Sequence, residues 1–321
     1  MKHPELTVSV SPHIHSGYTV ARMMYENAGA LIPVALAGWF FFGWPALKIL
    51  ALSAGTALLV EWGWEKLFGP PANIRDGSAL LTGLLLGCIL TTEVPWWIPI
   101  LGSLVAITVG RHAFGGMGNH PFSSVLVGWA FLEISYKEIL ETYPLAEPRF
   151  LLEASEFFSD PPLIAMKDDL ESILEVPWSE LFFGNVPGTL GTVCVLAILL
   201  GGAYLLYRRI ITWHIPLSFI FSAWLFALIM WQVDPEVYAP PTFHILSGWM
   251  MFGAFFLATE KGTAPVTPLG MIFYGIGCGV LTIIIRTWGI YTEGVPFAIL
   301  LMNGATPLLD RIKPGTAGRS R

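Results

Sequence analysis

Runs of apolar residues, separated by short polar intervals, make up most of the chain. A helix that crosses about 30 Å of hydrocarbon, at about 1.5 Å per residue, needs about twenty such residues. Ten runs approach that length, at residues 27–43, 45–64, 78–93, 95–110 and 120–136 and, in the second half, 189–207, 213–232, 243–259, 268–286 and 294–309. The pattern predicts an all-α polytopic membrane protein with about ten transmembrane helices. Several runs are short and contain Pro or Gly, so we expect some helices to be broken or re-entrant.

Composition and charge narrow the class of protein. Hydrophobic residues make up 54% of the sequence and charged residues 12%, and the mean hydropathy is +0.64. These values exclude a soluble globule and a disordered chain. The net charge is −6 and no cationic run alternates with aromatic residues, so the lipid bilayer is an expected partner and nucleic acid is not. The three Cys residues lie far apart in apolar runs, which predicts buried thiols.

Lys and Arg residues are distributed unevenly between the two ends of the predicted spans. With ten spans both termini lie on one side, and twelve of the seventeen Lys and Arg residues fall there. Because cationic residues near span ends resist translocation, both termini are predicted to be cytoplasmic. The predicted segments are a cytoplasmic N-terminal segment (1–26), a first five-helix repeat (27–136), an acidic outward-facing loop (137–187), a second five-helix repeat (188–310) and a basic cytoplasmic tail (311–321).

The outward-facing loop carries eleven acidic residues against three cations. A solvated cap is one interpretation of this imbalance. A docking face for a partner protein, or a vestibule that raises the local concentration of cations, is the alternative. The sequence leaves both open.

The two halves of the chain contain similar motifs in the same order. The matched pairs are Trp44-Pro45 with Trp213-His214-Ile215-Pro216, Leu81-Thr82-Gly83 with Leu246-Ser247-Gly248, and His120-Pro121-Phe122 with Val295-Pro296-Phe297. An odd number of spans in each copy forces the second copy to enter the membrane with the opposite orientation. We therefore predict two inverted five-helix repeats, an arrangement that resembles the urea-transporter fold.

Six charged residues lie inside or at the ends of predicted spans, namely Lys48, Glu61, Glu93, Glu133, Glu260 and Arg286. An ionised group in hydrocarbon costs at least about 2.5–3.5 kcal/mol, so each must snorkel, pair or line a polar path. Most lie near span ends, which favours snorkelling. Thr92-Glu93 and Thr259-Glu260 end equivalent spans of the two halves and offer hard oxygen ligands, so they define a possible cation path.

A glycine-rich turn precedes the fifth span. Gly115, Gly116, Gly118 and Asn119 could direct freed backbone amides toward a phosphate, and a tight interhelical turn is the alternative.

His214 and His244 begin apolar spans, and we interpret them as core or interfacial residues rather than haem ligands. The sequence contains no catalytic triad, Walker loop or HExxH motif.

Five motifs, spread over nearly the whole chain, share one resemblance. They are Asp76–Gly87, Gly115–Phe122, Trp213–Phe219, His244–Glu260 and Phe297–Asp310. In this order they resemble the RnfD/NqrB family, and the length of the chain is closer to RnfD. A match of several motifs in the same order arises by chance less often than a match of any single motif.

The resemblance implies a membrane subunit of an ion-translocating oxidoreductase in a bacterial-type inner membrane. Such complexes pass electrons between NADH, ferredoxin or quinone pools and couple this transfer to Na⁺ or H⁺ movement. The subunit would act within a translocase, with other membrane and peripheral subunits as partners, and would have no catalytic residues of its own. FMN or riboflavin is the implied cofactor, and the candidate residues for binding it are Gly115, Gly116, Gly118, Asn119, Ser247 and Gly248.

The sequence departs from the family where FMN is normally attached. Family members carry FMN esterified to a threonine of an S-G-A-T-like motif between the fifth and sixth spans. The interval 157–163 reads Phe-Phe-Ser-Asp-Pro-Pro-Leu here and contains no threonine, so no threonyl phosphoester can form there. Thr306, in an Asn-Gly-Ala-Thr-Pro-Leu stretch, and Thr189 are the candidates for an unusual attachment site. Further departures are Thr192, where the family has an acid, and His120, Ser123 and Ser124 after the glycine-rich turn.

Three hypotheses follow from the sequence. The first is an electron-transfer subunit with a flavin held noncovalently or at an unusual site. The second is a flavin-free scaffold or ion-conducting subunit of a redox complex, motivated by the missing threonine. The third is a stand-alone small-solute channel, because inverted five-span repeats also resemble the urea-transporter fold.

Overall fold

The computed structural model describes residues 19–69, 73–146, 148, 158–168 and 176–312. Residues 1–18 of the predicted N-terminal segment, residues 313–321 of the predicted tail, and residues 147, 149–157 and 169–175 of the predicted acidic loop lie outside this part. Over the described residues the protein is helical, apart from one isolated bridge between Pro144 and Phe158. The all-α prediction is confirmed for these residues.

Fourteen helices are described in chain order. They are α1 (Val20–Ala30), α2 (Ile32–Phe42), α3 (Trp44–Phe68), α4 (Ser78–Ile89), α5 (Trp97–Thr108), α6 (Ser124–Leu140), α7 (Pro162–Asp168), α8 (Trp178–Phe183), α9 (Val195–Tyr207), α10 (His214–Val233), α11 (Pro241–Leu246), α12 (Met250–Phe252), α13 (Pro268–Trp288) and α14 (Val295–Leu309). Proline occupies one of the first two positions of α2, α3, α11, α13 and α14, where its missing N–H costs no helical hydrogen bond.

Four segments within the described residues are long and apolar enough to cross a membrane, namely Trp44–Phe68, Trp97–Phe114, His214–Val233 and Pro268–Trp288. Shorter apolar helices are Ser78–Ile89, Val195–Tyr207 and Val295–Leu309. These helices fit a polytopic membrane protein. The count of ten spans and the inverted repeats stay predictions.

Two of the predicted spans are broken, as their Gly and Pro residues led us to expect. The run 27–43 breaks at Leu31, between α1 and α2, with Pro33 in the first turn of α2, whereas the run 78–93 forms the single helix α4, which ends at Ile89. The run 243–259 breaks at Gly248, whose φ of +63° is readily adopted only by glycine, and resumes as α12 and a π-helical turn, Gly253–Leu257. The first span differs from its predicted bounds, because α1 begins at Val20, capped by the Thr19 hydroxyl, inside the predicted N-terminal segment.

Small residues allow the main helices to pack closely. A Cβ at Gly279 of α13 would lie 2.5 Å from the Phe219 carbonyl of α10, and one at Gly83 of α4 would lie 2.6 Å from the Ala54 Cα of α3. Close backbone approach of this kind stabilises helix pairs in lipid, where burial of apolar area gives little driving force.

The two halves of the chain share one hydrophobic core. The Gly191 amide donates to the Cys88 carbonyl (2.6 Å), and the Leu190 amide donates to the Leu90 carbonyl (3.1 Å), so the segment before α9 pairs with the end of α4. The Trp129 ring of α6 contacts the rings of Trp249 and Phe297 with centroids 5.1 and 5.3 Å apart. The three cysteines are free thiols; Cys88 and Cys278 are buried, as predicted, whereas Cys194 is only half-buried.

Candidate functional site

A cavity of about 520 Å³, which we call the α1 cavity, lies between α1, the first turn of α4, the glycine-rich turn and the residues that follow the π-helical turn. Leu81, Leu85 and Phe256 contribute apolar surface, and Arg111 and Glu260 contribute charge. The volume is within the range of about 300–1,000 Å³ that is typical of small-molecule sites. Burial lowers the pKa of Lys261, which also lines the cavity.

The predicted site residues meet the α1 cavity only in part. Gly118, Thr259 and Glu260 line it, whereas Gly115, Gly116 and Asn119 lie in the turn behind Gly118. The amides of Gly115, Gly116 and Asn119 donate to the carbonyls of His112, Arg111 and Gly116, so these three amides are not free to bind a phosphate. The glycine-rich segment is therefore a tight turn, the alternative we considered for it, and only Gly118 borders the cavity.

His120 and Glu260 bring the two halves of the chain together at the α1 cavity. The Nε2 atom of His120 lies 3.6 Å from the Glu260 carboxylate, and neither ring nitrogen of this buried histidine has a hydrogen-bond partner within the described residues. Buried polar atoms without partners are rare in proteins and point to a missing ligand or water. The sequence noted His120 as part of a matched motif and as a departure from the family pattern, but did not indicate its contact with Glu260.

A buried charge cluster adjoins the α1 cavity. The Glu61 carboxylate of α3 lies 2.9 Å from His112 Nε2 and 3.5 Å from Arg111 Nη1. The Arg111 guanidinium also donates to the hydroxyls of Ser78 (2.8 Å) and Thr82 (2.6 Å) in the first turns of α4. The His112 ring stacks on Trp64 with centroids 4.7 Å apart. The cluster thus ties α3, α4 and the end of α5 together.

A second buried arginine lies near the C-terminal ends of α4 and α6. Arg286 of α13 is fully buried and donates to the carbonyls of His244 (2.7 Å) and Ser247 (3.2 Å) and to the Glu293 carboxylate (3.2 Å). The Glu293 carboxylate also accepts from the Trp249 amide (3.1 Å). Burial raises the pKa of the Glu293 carboxyl, and the Arg286 guanidinium opposes this shift. Arg286 and Glu293 thus bind the backbone on both sides of Gly248, at the break in the predicted eighth span.

These two clusters correct the expectation that charged residues in the spans snorkel. Glu61, Glu133 and Arg286 are each less than 9% exposed, so they do not reach an interface. Glu61 and Arg286 instead have charged partners, because an unpaired ion in a dry interior costs several kcal/mol. Lys48, by contrast, is exposed, as snorkelling requires.

Three other predicted cofactor residues, Thr189, Ser247 and Gly248, lie together in a pocket of about 30 Å³ beside Glu293. A Cβ at Gly248 would lie within the contact radius of the Glu293 carboxylate, so this position accepts no larger residue. Pro161, Pro162 and Leu163 line the same pocket. The segment that the resemblance compares with the FMN-attachment interval therefore lies against these residues, and the space there is far too small for a flavin ring.

Thr306, Thr92 and Glu93 line neither the α1 cavity nor the 30 Å³ pocket. The Thr306 hydroxyl donates to the Thr263 carbonyl (2.9 Å) and lies on the last turns of α14. Thr92 and Glu93 border an open apolar groove with Lys48, Trp44 and Trp96, whereas Thr259 and Glu260 border the α1 cavity. The two pairs of the predicted cation path are thus separate and form no common site.

Sequence reasoning missed the partners of the buried charges. Glu61 and Arg111 are fifty positions apart, and nothing in the apolar pattern indicates that they meet. For Arg286 and Glu293 a signal existed, because an acid lies seven positions after a cation at a predicted span end.

Comparison with known proteins gives a consistent result. The sequence profile of the NQR2, RnfD, RnfE family matches residues 7–318. A relative in Acetobacterium woodii, the D subunit of a Na⁺-translocating ferredoxin:NAD⁺ oxidoreductase complex, is 38% identical over 97% of this chain and 94% of its own length.

Two further relatives have comparable sequence identity to this chain. The D subunit of an ion-translocating oxidoreductase complex in Stutzerimonas stutzeri is 35% identical, over 94% of this chain and 93% of the relative. The D subunit of a proton-translocating ferredoxin:NAD⁺ oxidoreductase complex in Clostridium ljungdahlii is 33% identical, over 95% of this chain and 93% of the relative. The chain belongs to the NQR2, RnfD, RnfE family.

Proposed function

We propose that this protein is the D subunit of an Rnf-type complex in a bacterial-type inner membrane and takes part in electron transfer coupled to Na⁺ or H⁺ translocation. Relatives over nearly the full length are named as the D subunits of such complexes, which supports both the role and the presence of other subunits as partners. The named relatives include both a Na⁺- and a proton-translocating complex, so they favour neither ion.

The proposal includes two inverted repeats with both termini cytoplasmic. The two buried arginines support it. The number of positions between Arg111 and Arg286 is the same as the number between the matched residues His120 and Val295. Arg111 binds Thr82 on the third span and Arg286 binds Ser247 on the eighth, and these two positions are matched in the repeat. Arg111 borders the α1 cavity, whereas Arg286 lies beside the 30 Å³ pocket near the other end of α4. An inverted repeat produces such a pair.

For the cofactor, we propose a flavin bound noncovalently in the α1 cavity. The single observation that carries this proposal is a cavity of about 520 Å³ lined by His120 and Arg111, of which the two ring nitrogens of His120 and the Arg111 Nε have no hydrogen-bond partner in the described part of the chain. His120 and Arg111 would hold the polar edge of the cofactor, and Leu81, Leu85 and Phe256 would exclude water from its ring. The flavin supplies the one- and two-electron chemistry that side chains lack.

No covalently attached FMN is proposed at the interval between the fifth and sixth spans. The described part of that interval, Phe158 to Leu163, contains no threonine, and Phe158, Ser159 and Asp160 are exposed. The adjoining pocket of about 30 Å³ has room for one or two waters rather than a three-ring cofactor.

Filling the α1 cavity with a larger side chain is expected to remove the flavin. Leu81→Trp places an indole ring in the cavity, whereas Leu84→Trp, on the same helix, changes a residue that does not line it. The flavin released by acid from the purified full-length chain is measured for both variants. We expect loss in Leu81→Trp and retention in Leu84→Trp. Equal retention in both variants, or no flavin in the unaltered chain, would contradict the proposed site and favour a flavin-free scaffold.

A further inference from the structure

An open groove lies between the first turns of α3 and the connection from α4 to α5. Its volume is about 780 Å³, within the range of about 300–1,000 Å³ that is typical of small-molecule sites. Leu47, Ile49 and Val94 give it apolar walls, and Trp44 and Trp96 line it as well. We call it the tryptophan groove. It shares no lining residue with the α1 cavity, and the proposed electron-transfer role makes no use of it.

The direction of the helices places the tryptophan groove far from the α1 cavity. The Ser103 hydroxyl of α5 donates to the Ser53 carbonyl of α3 (3.0 Å). Further along both segments, His112 Nε2 lies 2.9 Å from the Glu61 carboxylate. The helices α3 and α5 therefore run parallel, and their first residues lie at the same end of the pair. That end is opposite to the buried charge cluster and to the α1 cavity beside it.

The tryptophan groove has the features of a membrane interface. Trp44 is the first residue of α3 and Trp96 directly precedes α5, and their side chains are 56% and 61% exposed. The 25 residues of α3 extend over about 37 Å, so this helix crosses about 30 Å of hydrocarbon and its first turn reaches the interface. Tryptophan is enriched at this depth because its ring is apolar and its N–H is polar. The groove thus opens where lipid headgroups meet acyl chains.

Two side chains of opposite charge, Lys48 and Glu93, line the tryptophan groove. Lys48 is exposed and Glu93 is half-buried. Over the described ranges neither side chain forms an ion pair, and no donor reaches the Glu93 carboxylate, whose Oε1 atom is buried. A buried acceptor without a donor is costly, and a charge beside hydrocarbon is costly without a partner. An occupant with charges of both signs would therefore be favoured.

The charges select one class of occupant. A zwitterionic phospholipid has a phosphate for Lys48, an ammonium group for Glu93 and an acyl chain for the apolar walls. An anionic phospholipid without an amine offers nothing to Glu93, and a choline headgroup has no N–H to donate to a carboxylate. An apolar helix of another subunit would cover both charges without pairing them. These comparisons favour a headgroup with a primary ammonium.

We propose that the tryptophan groove binds one phospholipid with a primary ammonium headgroup. Lys48 binds the phosphate, and Glu93 accepts hydrogen bonds from the ammonium group. One acyl chain lies against Leu47 and Val94. The proposal does not depend on the flavin, so release of flavin by acid is expected to be the same with and without the lipid.

The test uses the purified full-length chain after removal of lipid in detergent micelles. Phosphatidylethanolamine, phosphatidylcholine and phosphatidylglycerol with identical acyl chains are added in turn, and native mass spectrometry counts the bound lipids. We expect the first phosphatidylethanolamine to bind about tenfold more tightly than the first molecule of either other lipid. Each of these lacks the charge-assisted hydrogen bonds to Glu93.

Four variants locate the lipid on the chain. Glu93→Gln and Lys48→Met are each expected to weaken binding of phosphatidylethanolamine about tenfold, and Glu93→Gln is also expected to remove the preference over phosphatidylcholine. Lys66→Met changes an exposed cation near the other end of α3, and Glu138→Gln changes an exposed acid of α6. Both controls are expected to bind phosphatidylethanolamine like the unaltered chain.

Three results would overturn the proposal. The first is equal affinity of the unaltered chain for the three lipids, a comparison that needs no variant to fold. The second is an unchanged lipid preference in Glu93→Gln, whose thermal unfolding shows whether it is folded. The third comes from a photoreactive benzoylphenylalanine in place of Trp96 in the assembled complex. A crosslink to phospholipid is expected there, and a crosslink to another subunit would show that protein covers the groove.

Discussion

Arg286→Met is expected to lower the free energy of unfolding by about 3–5 kcal/mol, because it leaves the Glu293 carboxylate without its charged partner. The substitution also removes the donors to the carbonyls of His244 and Ser247, which hold the break in the eighth span. Unfolding of the purified chain in mixed micelles, followed by tryptophan fluorescence during detergent titration, measures the loss.

Two control variants make the Arg286 prediction specific. Arg75 is exposed, so Arg75→Met is expected to change stability by no more than about 0.5 kcal/mol. In Arg286→Met combined with Glu293→Gln the buried charge is removed as well, so the double variant is expected to be more stable than Arg286→Met alone. A double variant that loses the sum of the two single losses would show that the ion pair does not stabilise the break.

Glu61→Leu is expected to have an effect of similar size, about 3–5 kcal/mol, for the same physical reason. It leaves the Arg111 guanidinium buried without its carboxylate and removes the partner of His112 Nε2. The same unfolding measurement applies. Because Arg111 lines the α1 cavity, flavin retention is expected to fall together with stability.

The matched control for Glu61 is Glu236→Leu, which alters an exposed acid after α10 and is expected to have little effect. Combining Glu61→Leu with Arg111→Met removes both buried charges. This double variant is expected to recover part of the lost stability, since an apolar replacement of a whole buried pair is often nearly neutral. If Glu61→Leu is as stable as the unaltered chain, the cluster does not anchor α3 to α4.

The helical architecture could be predicted from the sequence because it follows from the order of apolar and polar residues along the chain. Apolar runs predicted the helices, and Gly and Pro within these runs predicted the breaks that occur at Leu31 and at Gly248. Helix ends were less predictable. The Thr19 hydroxyl starts α1 earlier than the apolar run indicates, since capping depends on one side chain rather than on hydropathy.

The candidate site was less accessible, because it is built from long-range contacts. The sequence identified Glu61, Glu133 and Arg286 as charges in apolar surroundings but gave no means of pairing Glu61 with Arg111. Of the residues that the sequence singled out, Gly118, Thr259 and Glu260 line one cavity. The sequence did not indicate that Thr189, Ser247 and Gly248 lie in a separate and much smaller pocket, because a sequence motif does not reveal the volume of the space around it.

We propose that this family member holds a flavin without a covalent bond, in the α1 cavity rather than at the interval between the predicted fifth and sixth spans. The intact mass of the purified chain, measured together with the flavin released by acid, tests it most directly. The predicted result is a mass equal to that of the polypeptide alone, with flavin released in an amount equimolar to the chain. A mass increased by one FMN would contradict the claim and direct the search for an attachment site to Thr189 and Thr306.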